Sequence, residues 1–430
     1  MQNLSVDEFI NTDYKEYAEE VSFRRALPSI VDGMKPVRRK IFYYMKKSKN
    51  AGFIRVSSIA GGLAEKCNYH HGEASAQKTI INMSKDFPGS NNIPILLPKG
   101  MFGSKFLPGS AAQARYIQSA YNPLMDLIFL DDDILPQNHD LESPEPEYYL
   151  PIIPMFLVNG IAGIGIGYAV NILPRKPIDI LKMVEESLEG EIKSDPLPYF
   201  KNCHYDVLRA QEGGFDIKGR VEPQNNKLIV SELIPGQDRN KFIERLINMQ
   251  ESDKIKAYKD ESKEEFRFII EPSKPYKDHH DFLGLRKTFH ENYTILDENN
   301  TIVVFPSIQA IVKHFTTFRL TFYTKRKTKI IETLETEVRK NEAVILFIEN
   351  IKKVSECETN EQVSELFKLK IHDDMIKYCM DRPLHFFRRK NKEELQDNIK
   401  KLKLEIGYYQ RVSEKELYHK DLEKLKTKLG

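Results

Sequence analysis

Residues 150–174 read LPIIPMFLVNGIAGIGIGYAVNILP, a run with no charged side chain. A run of that length can cross a bilayer as a helix, so its reading decides whether the chain is a membrane protein or a globular one. Its interior argues against a span. Pro151 and Pro154 open it, Asn159 and Asn171 are polar, and glycine recurs at Gly160, Gly163, Gly165 and Gly167. Each glycine costs a helix about 1 kcal/mol, whereas glycines spaced by two suit extended backbone that another segment approaches closely. The run is therefore expected to be extended and packed inside a protein, without a membrane span.

The rest of the chain fits that choice. Its 430 residues are 40% hydrophobic and 30% charged, with a mean hydropathy of -0.49, the profile of a soluble chain of several domains. Cys67, Cys203, Cys357 and Cys379 are scattered without a CxxC pair, as reduced thiols in a cytosolic protein would be, and leave no pattern for a structural zinc. The start, MQNLSVDEFINTDYKEYAEEV, is acidic and amphipathic, with neither the basic opening nor the apolar core of a signal peptide.

Upstream of the apolar run, charge is strongly segregated although the whole chain carries only +2. Residues 21–120 hold 16 Lys or Arg against 4 Asp or Glu, and residues 121–150 hold 8 acids and no Lys or Arg. Phe42, Tyr43, Tyr44 and Phe53 are interleaved with the basic residues and a histidine pair follows them, which fits a polyanion-binding face as well as it fits a merely solvated one. The acidic stretch reads as its boundary; within it Asp131, Asp132 and Asp133 leave two readings open, a surface turn or a metal site.

Periodicity supplies the organisation. Residues 1–27 form an amphipathic arm marked by Phe9, Tyr14, Tyr17 and Val21; short helices broken by glycine turns follow to about residue 128. FDIKGRVE and KLIVSELIPG, joined by PQNN, predict a β hairpin; KFIERLINMQ predicts a helix, and FRFIIEP and TIVVFP further strands. The last third keeps a three-four apolar spacing in Ile331, Leu334, Val338, Ile345 and Ile348, and again in Leu395, Ile399, Leu402, Ile406 and Tyr409. Two long helices running out and back around a small globule account for this. The fold class is α+β and multidomain.

SAAQARYIQS, residues 110–119, sets Arg115 beside Tyr116. A tyrosine phenol, ordinarily titrating near 10, attacks a phosphodiester at neutral pH only where cations stabilise the phenolate and the charge developing on phosphorus. An adjacent arginine can supply the second service, although the pair by itself also reads as a buried structural tyrosine beside a cation.

Five segments then resemble one family in the same order: RALPSIVDGMKPVRRK (25–40), SSIAGGLAEKCNYHHGEAS (57–75), SNNIPILLPKGMFGS (90–104), AQARYI (112–117) and the apolar run. They resemble the breakage-reunion part of type IIA DNA topoisomerases, the gyrase A family, and are most similar to the medium subunit of T-even phage enzymes and to the eukaryotic enzymes. The resemblance implies a winged-helix DNA-cleavage domain over 28–149, a tower domain over 150–324, and a long antiparallel coiled coil ending in a terminal dimer gate over 325–430. It also implies that Tyr116 forms a 5′-phosphotyrosyl link and that Arg115 stabilises the transition state. Lys35 and Arg39 match DNA contacts near the scissile phosphate. His70 and His71 fall on the family's histidine motif, which leaves open which of them donates to a phosphate. Ile172 matches the isoleucine that wedges between base pairs. At Asp131, Asp132 and Asp133 the resemblance places no site, which implies the surface turn. In gyrase-type enzymes a serine and an acid shortly after HG hold the water shell of the fluoroquinolone metal; Ala74 and Lys78 stand there, implying weak drug trapping and leaving Lys78 to contact a phosphate.

No GxxxxGK[ST] loop and no metal-binding acidic cluster is present in the sequence. The resemblance therefore implies a separate subunit that binds ATP and most of the Mg²⁺, a homodimer of this chain within a heterotetramer, and double-stranded DNA as substrate in a cytoplasmic, nucleoid-associated and phage-like setting. No gyrase-type wrapping domain follows the returning helix, so efficient negative supercoiling is not expected. A tyrosine recombinase disposes its arginines differently, and a purely architectural DNA protein leaves Tyr116 without a task.

Overall fold

The computed structural model describes residues 10–21, 26–140, 142–367, 372–383, 386–387 and 392–429. Residues 1–9 and 22–25 of the expected arm, Phe9 included, lie outside them. By its contacts the chain divides into two compact units, one up to Arg319 with the residues from Asp421 onward, the other Leu320–Lys420.

In the first unit the arm contributes helix α1 (Lys15–Val21). Helix α2 (Pro36–Lys47) starts on a proline, whose fixed φ suits the first turn, and ends on Lys46 and Lys47, which oppose the negative end of its dipole. It buries Ile41, Phe42 and Met45. Strand β1 (Ile54–Arg55) leads directly into helix α3 (Val56–Lys66), whose buried Val56, Ile59, Ala60 and Leu63 follow the i, i+3, i+4, i+7 stripe of an amphipathic helix. Helix α4 (Glu73–Ser84) packs on both. Strands β2 (Leu96–Lys99) and β3 (Gln118–Tyr121) complete an antiparallel sheet of order β1-β3-β2. A fully buried hydroxyl pair, Ser84 Oγ and Ser119 Oγ at 2.8 Å, ties α4 to β3.

The acidic stretch returns to α2. Strand β4 (Phe129–Leu130) pairs with β5 (Leu150–Pro151), and the Phe129 and Tyr149 rings each pack 4.7 Å from Phe42. The apolar run is extended apart from helix α5 (Met155–Asn159) and contains a hairpin, β6 (Ile161–Ile164) with β7 (Ala169–Ile172). Gly163 is required there: a Cβ would lie 2.1 Å from the Ala26 carbonyl oxygen. Among the described residues no helix is long and apolar enough to cross a membrane.

Helix α6 (Pro177–Glu189) follows. FDIKGRVE differs from expectation, because it splits at Gly219. Strand β8 (Asp206–Arg209), β9 (Phe215–Lys218) and β14 (Arg286–Phe289) form one sheet, of order β14-β9-β8. The hairpin of β10 (Arg220–Gln224) and β11 (Lys227–Glu232) joins β12 (Ile255–Asp260) and β13 (Phe268–Pro272) in a second, of order β10-β11-β13-β12. Helix α7 (Arg239–Glu251), capped by Asp238 accepting from Lys241 N–H at 2.9 Å, buries Phe242, Leu246 and Met249 in the core with Val230, Phe268 and Ile270.

The boundary between units falls inside helix α8 (Ile308–Glu349). In the second unit short helices follow it, then α9 (Lys392–Arg411). Val344, Phe347, Phe367, Ile376 and Leu395 form a core, with the Phe347 and Phe367 rings stacked at 4.2 Å.

Candidate functional site

Tyr116 sits on a turn and is 70% exposed. The turn is locked from behind: the first two amides of α3, Val56 and Ser57, donate to the carbonyls of Ile117 at 3.0 Å and Ala114 at 3.1 Å. These are helix-start donors with no intrahelical acceptor. Ala112 N–H donates to Met101 at 2.9 Å, and Ile117 is buried. The Arg115 guanidinium lies 5.0 Å from the Tyr116 ring centroid, within cation–π range. Both side chains therefore project from a fixed backbone into solvent.

Two nearby tyrosines are the contrast. Burial first, then the Asp126 hydrogen bond, pushes the Tyr121 phenol far above its ordinary range, and burial does the same to Tyr149. Neither could reach a substrate phosphate as a phenolate.

The acidic stretch sorts the basic block. Lys40 pairs with Glu145 at 2.8 Å, Lys46 with Asp132 at 2.6 Å and Lys49 with Asp126 at 3.3 Å. Lys105 is buried between Glu232 and Glu265. Among the described residues, Lys35, Arg38, Arg55, Lys78, Lys85, Lys99 and Arg115 have no acidic partner. So a block that looks uniformly basic in sequence is neutralised at some cations and open at others.

Arg39, expected among the DNA contacts, is committed instead to Asp32, Nε to Oδ2 at 2.7 Å and a terminal nitrogen to Oδ1 at 3.0 Å. Asp32 also accepts from Met34 N–H at 2.9 Å and Tyr149 N–H at 3.1 Å, so the pair clasps the entry to α2 to the returning strand. The open cations of this motif are Lys35 and Arg38. Burial, then the Arg38 charge, pulls the Lys35 ammonium down to about 8. Arg38 lines a cavity of about 40 Å³ with Asn82, Asn91 and Asn159.

His70 and His71 are both exposed where the chain turns from α3 into α4, after Asn68 at φ 49°. The His71 ring stands edge-on to buried Tyr69 at 5.5 Å. Lys78 and Ala74 are exposed on α4. Ile172 requires a correction: it is only 2% exposed, on the inward face of β7 opposite Ile161, and cannot wedge into anything. Ile164, at the end of β6 on the outward face, is by contrast 89% exposed. Alternation along the hairpin puts 161, 170 and 172 inside and 164 outside; the missed signal was the turn at Gly165–Gly167.

Among the described residues no group of three or more His, Cys, Asp or Glu is placed to hold a metal ion. The three aspartates differ from the expected surface turn in one member. Asp132 and Asp133 are exposed, but the Asp131 carboxylate is buried against Arg319 at 2.5 Å.

The family model that describes the A chain of DNA gyrase and topoisomerase IV matches residues 25–425. The chain belongs to the gyrase A family of type II topoisomerases. It is 31% identical over 366 residues to the mitochondrial DNA topoisomerase 2 of Dictyostelium discoideum, covering 82% of this chain and 28% of that protein. It is also 31% identical to DNA topoisomerase 2 of Saccharomyces cerevisiae, again over 82% of this chain but 26% of the relative. This gyrase A family member thus spans little more than a quarter of these relatives' length. It superposes on the crystal structure of the Plasmodium falciparum topoisomerase II DNA-binding, cleavage and re-ligation domain with a TM-score of 0.87 and 27% identity, covering 99% of this chain and 64% of that one. It therefore has the mixed α+β fold of that domain.

Proposed function

We propose that the chain carries the DNA breakage and reunion chemistry of an ATP-dependent type IIA topoisomerase. One observation carries the reading: an exposed tyrosine with an arginine over its ring, on a turn that hydrogen bonds fix to the start of α3. The Tyr116 phenolic oxygen attacks a backbone phosphorus, forming a 5′-phosphotyrosyl ester and releasing the neighbouring 3′-hydroxyl; Arg115 stabilises the charge that builds on the phosphoryl oxygens. Return attack by that hydroxyl restores the phosphodiester and frees the tyrosine. One ester replaces another, so resealing needs no external energy.

Lys35, Arg38, His70, His71 and Lys78 supply phosphate contacts; among the described residues Lys35, Arg38 and Lys78 have no acidic partner. Exposed Ile164 is the apolar wedge that unstacks and bends the duplex. Helices α2–α4 with the β1-β3-β2 sheet act as a winged helix, residues 150–324 as the tower, and residues 325–430 as a coiled coil with a dimer gate. Cutting both strands needs two tyrosines, which two-fold symmetry of a homodimer provides. ATP hydrolysis and the Mg²⁺ ligands belong to a second subunit in a heterotetramer, and the motif likeness favours the T-even phage arrangement in a cytoplasmic, nucleoid-associated setting.

The test is cleavage of supercoiled plasmid by the chain together with its ATPase partner, stopped with detergent. Linear DNA is expected from wild type and none from Tyr116→Phe, whose DNA affinity should stay within a few-fold because the ring still packs. Wild-type cleavage by the variant would remove Tyr116 from the mechanism.

A further inference from the structure

The sheet that delivers Tyr116 carries a second feature, two residues beyond the tyrosine. Gln118 on β3 lies opposite Arg55 on β1 and, on its other side, opposite Lys99 on β2. Residues directly opposite in antiparallel strands share a face, so Arg55, Gln118 and Lys99 form one row across three strands, about 9.6 Å from end to end at strand spacing. The next row, Ile54, Ser119 and Pro98, faces inward, with Ser119 fully buried on Ser84.

Arg55 and Lys99 are exposed, and among the described residues neither has an acidic partner; the Gln118 side chain makes no hydrogen bond there either. The Lys99 ammonium is held 5.5 Å from the ring centroid of Phe53, the 42% exposed residue just before β1. It therefore reaches from β2 across β3 toward the β1 side, over the strand that follows the Tyr116 turn. Elsewhere in the basic block, Lys40, Lys46 and Lys49 are neutralised by the acidic stretch; these two are not.

We propose that Arg55, Gln118 and Lys99 form a clamp for two nucleic-acid phosphates on the strand leading into the Tyr116 site, with Gln118 donating between them. They are positioning residues: they fix the duplex against the turn while Arg115 and Tyr116 act on the scissile phosphate. The clamp rests on the cleavage reading given above. It adds to that reading a specific surface and a count of contacts.

The count is measurable, because each phosphate neutralised by a cation on duplex DNA contributes about 0.9 to the slope of log affinity against log salt. The experiment uses the full chain carrying Tyr116→Phe, a 30-base-pair fluorescent duplex, and anisotropy titrations between 50 and 200 mM salt. Removing both cations (Arg55→Gln with Lys99→Gln) should lower the slope by about 1.8. Over that fourfold salt interval the parent then loses about twelvefold more affinity than the double variant. Arg55→Lys should restore about half of the lost slope when introduced with Lys99→Gln. A charge-matched control, Lys377→Gln with Lys401→Gln, should leave it unchanged, and circular dichroism should show the same melting temperature for all.

A double variant with the parent slope, or a control that falls equally, overturns the clamp while leaving the cleavage reading intact. That reading is checked separately, by plasmid cleavage with Tyr116 restored. There the double variant should raise the DNA concentration for half-maximal cleavage and leave the maximal rate within about threefold. A collapse of the maximal rate at saturating DNA would assign the pair to the chemistry instead and refute a positioning role.

Discussion

Lys35 offers a prediction in which direction and size both follow from its surroundings. Its ammonium is pulled down to about 8 by burial and then by Arg38, with no acid to offset either. A bound phosphate would replace that repulsion with attraction and return the group to the ordinary lysine range near 10.4. Binding between these two values must take up a proton. At pH 7 the free protein already holds it on about 90% of molecules, and at pH 9 on only about 10%, so affinity should fall about tenfold across that interval. The sign is fixed: affinity is flat below about pH 7 and falls as pH rises through 8. Lys35→Arg keeps the charge at every pH and should flatten the profile, whereas Lys35→Met should weaken binding at pH 7 and leave no pH dependence. The same burial makes the charge a cost to the folded chain below pH 8, so Lys35→Met should also raise thermal stability at pH 7. Anisotropy with the Tyr116→Phe chain at constant ionic strength measures the profile. An equal fall in affinity for wild type and Lys35→Arg would show that another group titrates and refute the reasoning.

The two isoleucines should separate cleanly. Ile172→Ala should destabilise the fold by about 3 kcal/mol through a core cavity, while Ile164→Ala should leave stability within about 0.5 kcal/mol and reduce DNA bending measured by fluorescence transfer. Asp32→Asn breaks a buried ion pair and should cost about 3 kcal/mol in denaturant melts, whereas Arg38→Ala should leave stability nearly unchanged and weaken DNA binding. With Ala74 and Lys78 exposed on α4, fluoroquinolones should trap cleavage complexes poorly, because alanine cannot hydrogen-bond a metal-bound water and lysine repels the metal. Ala74→Ser with Lys78→Glu should raise drug sensitivity in a cleavage titration, and trapping of the wild-type enzyme at concentrations that trap bacterial gyrase would contradict this.

Local chemistry is legible where a pattern is short-ranged. The α3 stripe of Val56, Ile59, Ala60 and Leu63, the glycine-spaced run at 160–167 and the helix at KFIERLINMQ all declare themselves through neighbours within a few residues. Long-range pairing does not. Gly219 looks like the interior of one strand, but a Cβ there would meet the Glu232 carbonyl oxygen at 2.3 Å, and its N–H donates to Leu285 at 2.8 Å. The chain changes sheets at that point because of partners far along the sequence. The basic block shows the same limit: which lysines stay open depends on Asp126, Asp132 and Glu145 folding back onto α2, and a charge count cannot assign them. Arg38 and Arg39 are adjacent and identical in type, yet only one faces Asp32. Ile172 misleads for a related reason, since a motif gives the hairpin's residues but not where its tip falls.

During cleavage Tyr116 is expected to become covalently joined to a DNA 5′ end. The most direct measurement of this link is to stop a cleavage reaction with detergent, digest the adduct with protease and nuclease, and identify the nucleotide-bearing peptide by mass spectrometry while mapping which DNA end is blocked. A phosphonucleotide on Tyr116, a blocked 5′ end and a free 3′-hydroxyl are expected. An adduct on any other residue, or a blocked 3′ end, would contradict this expectation.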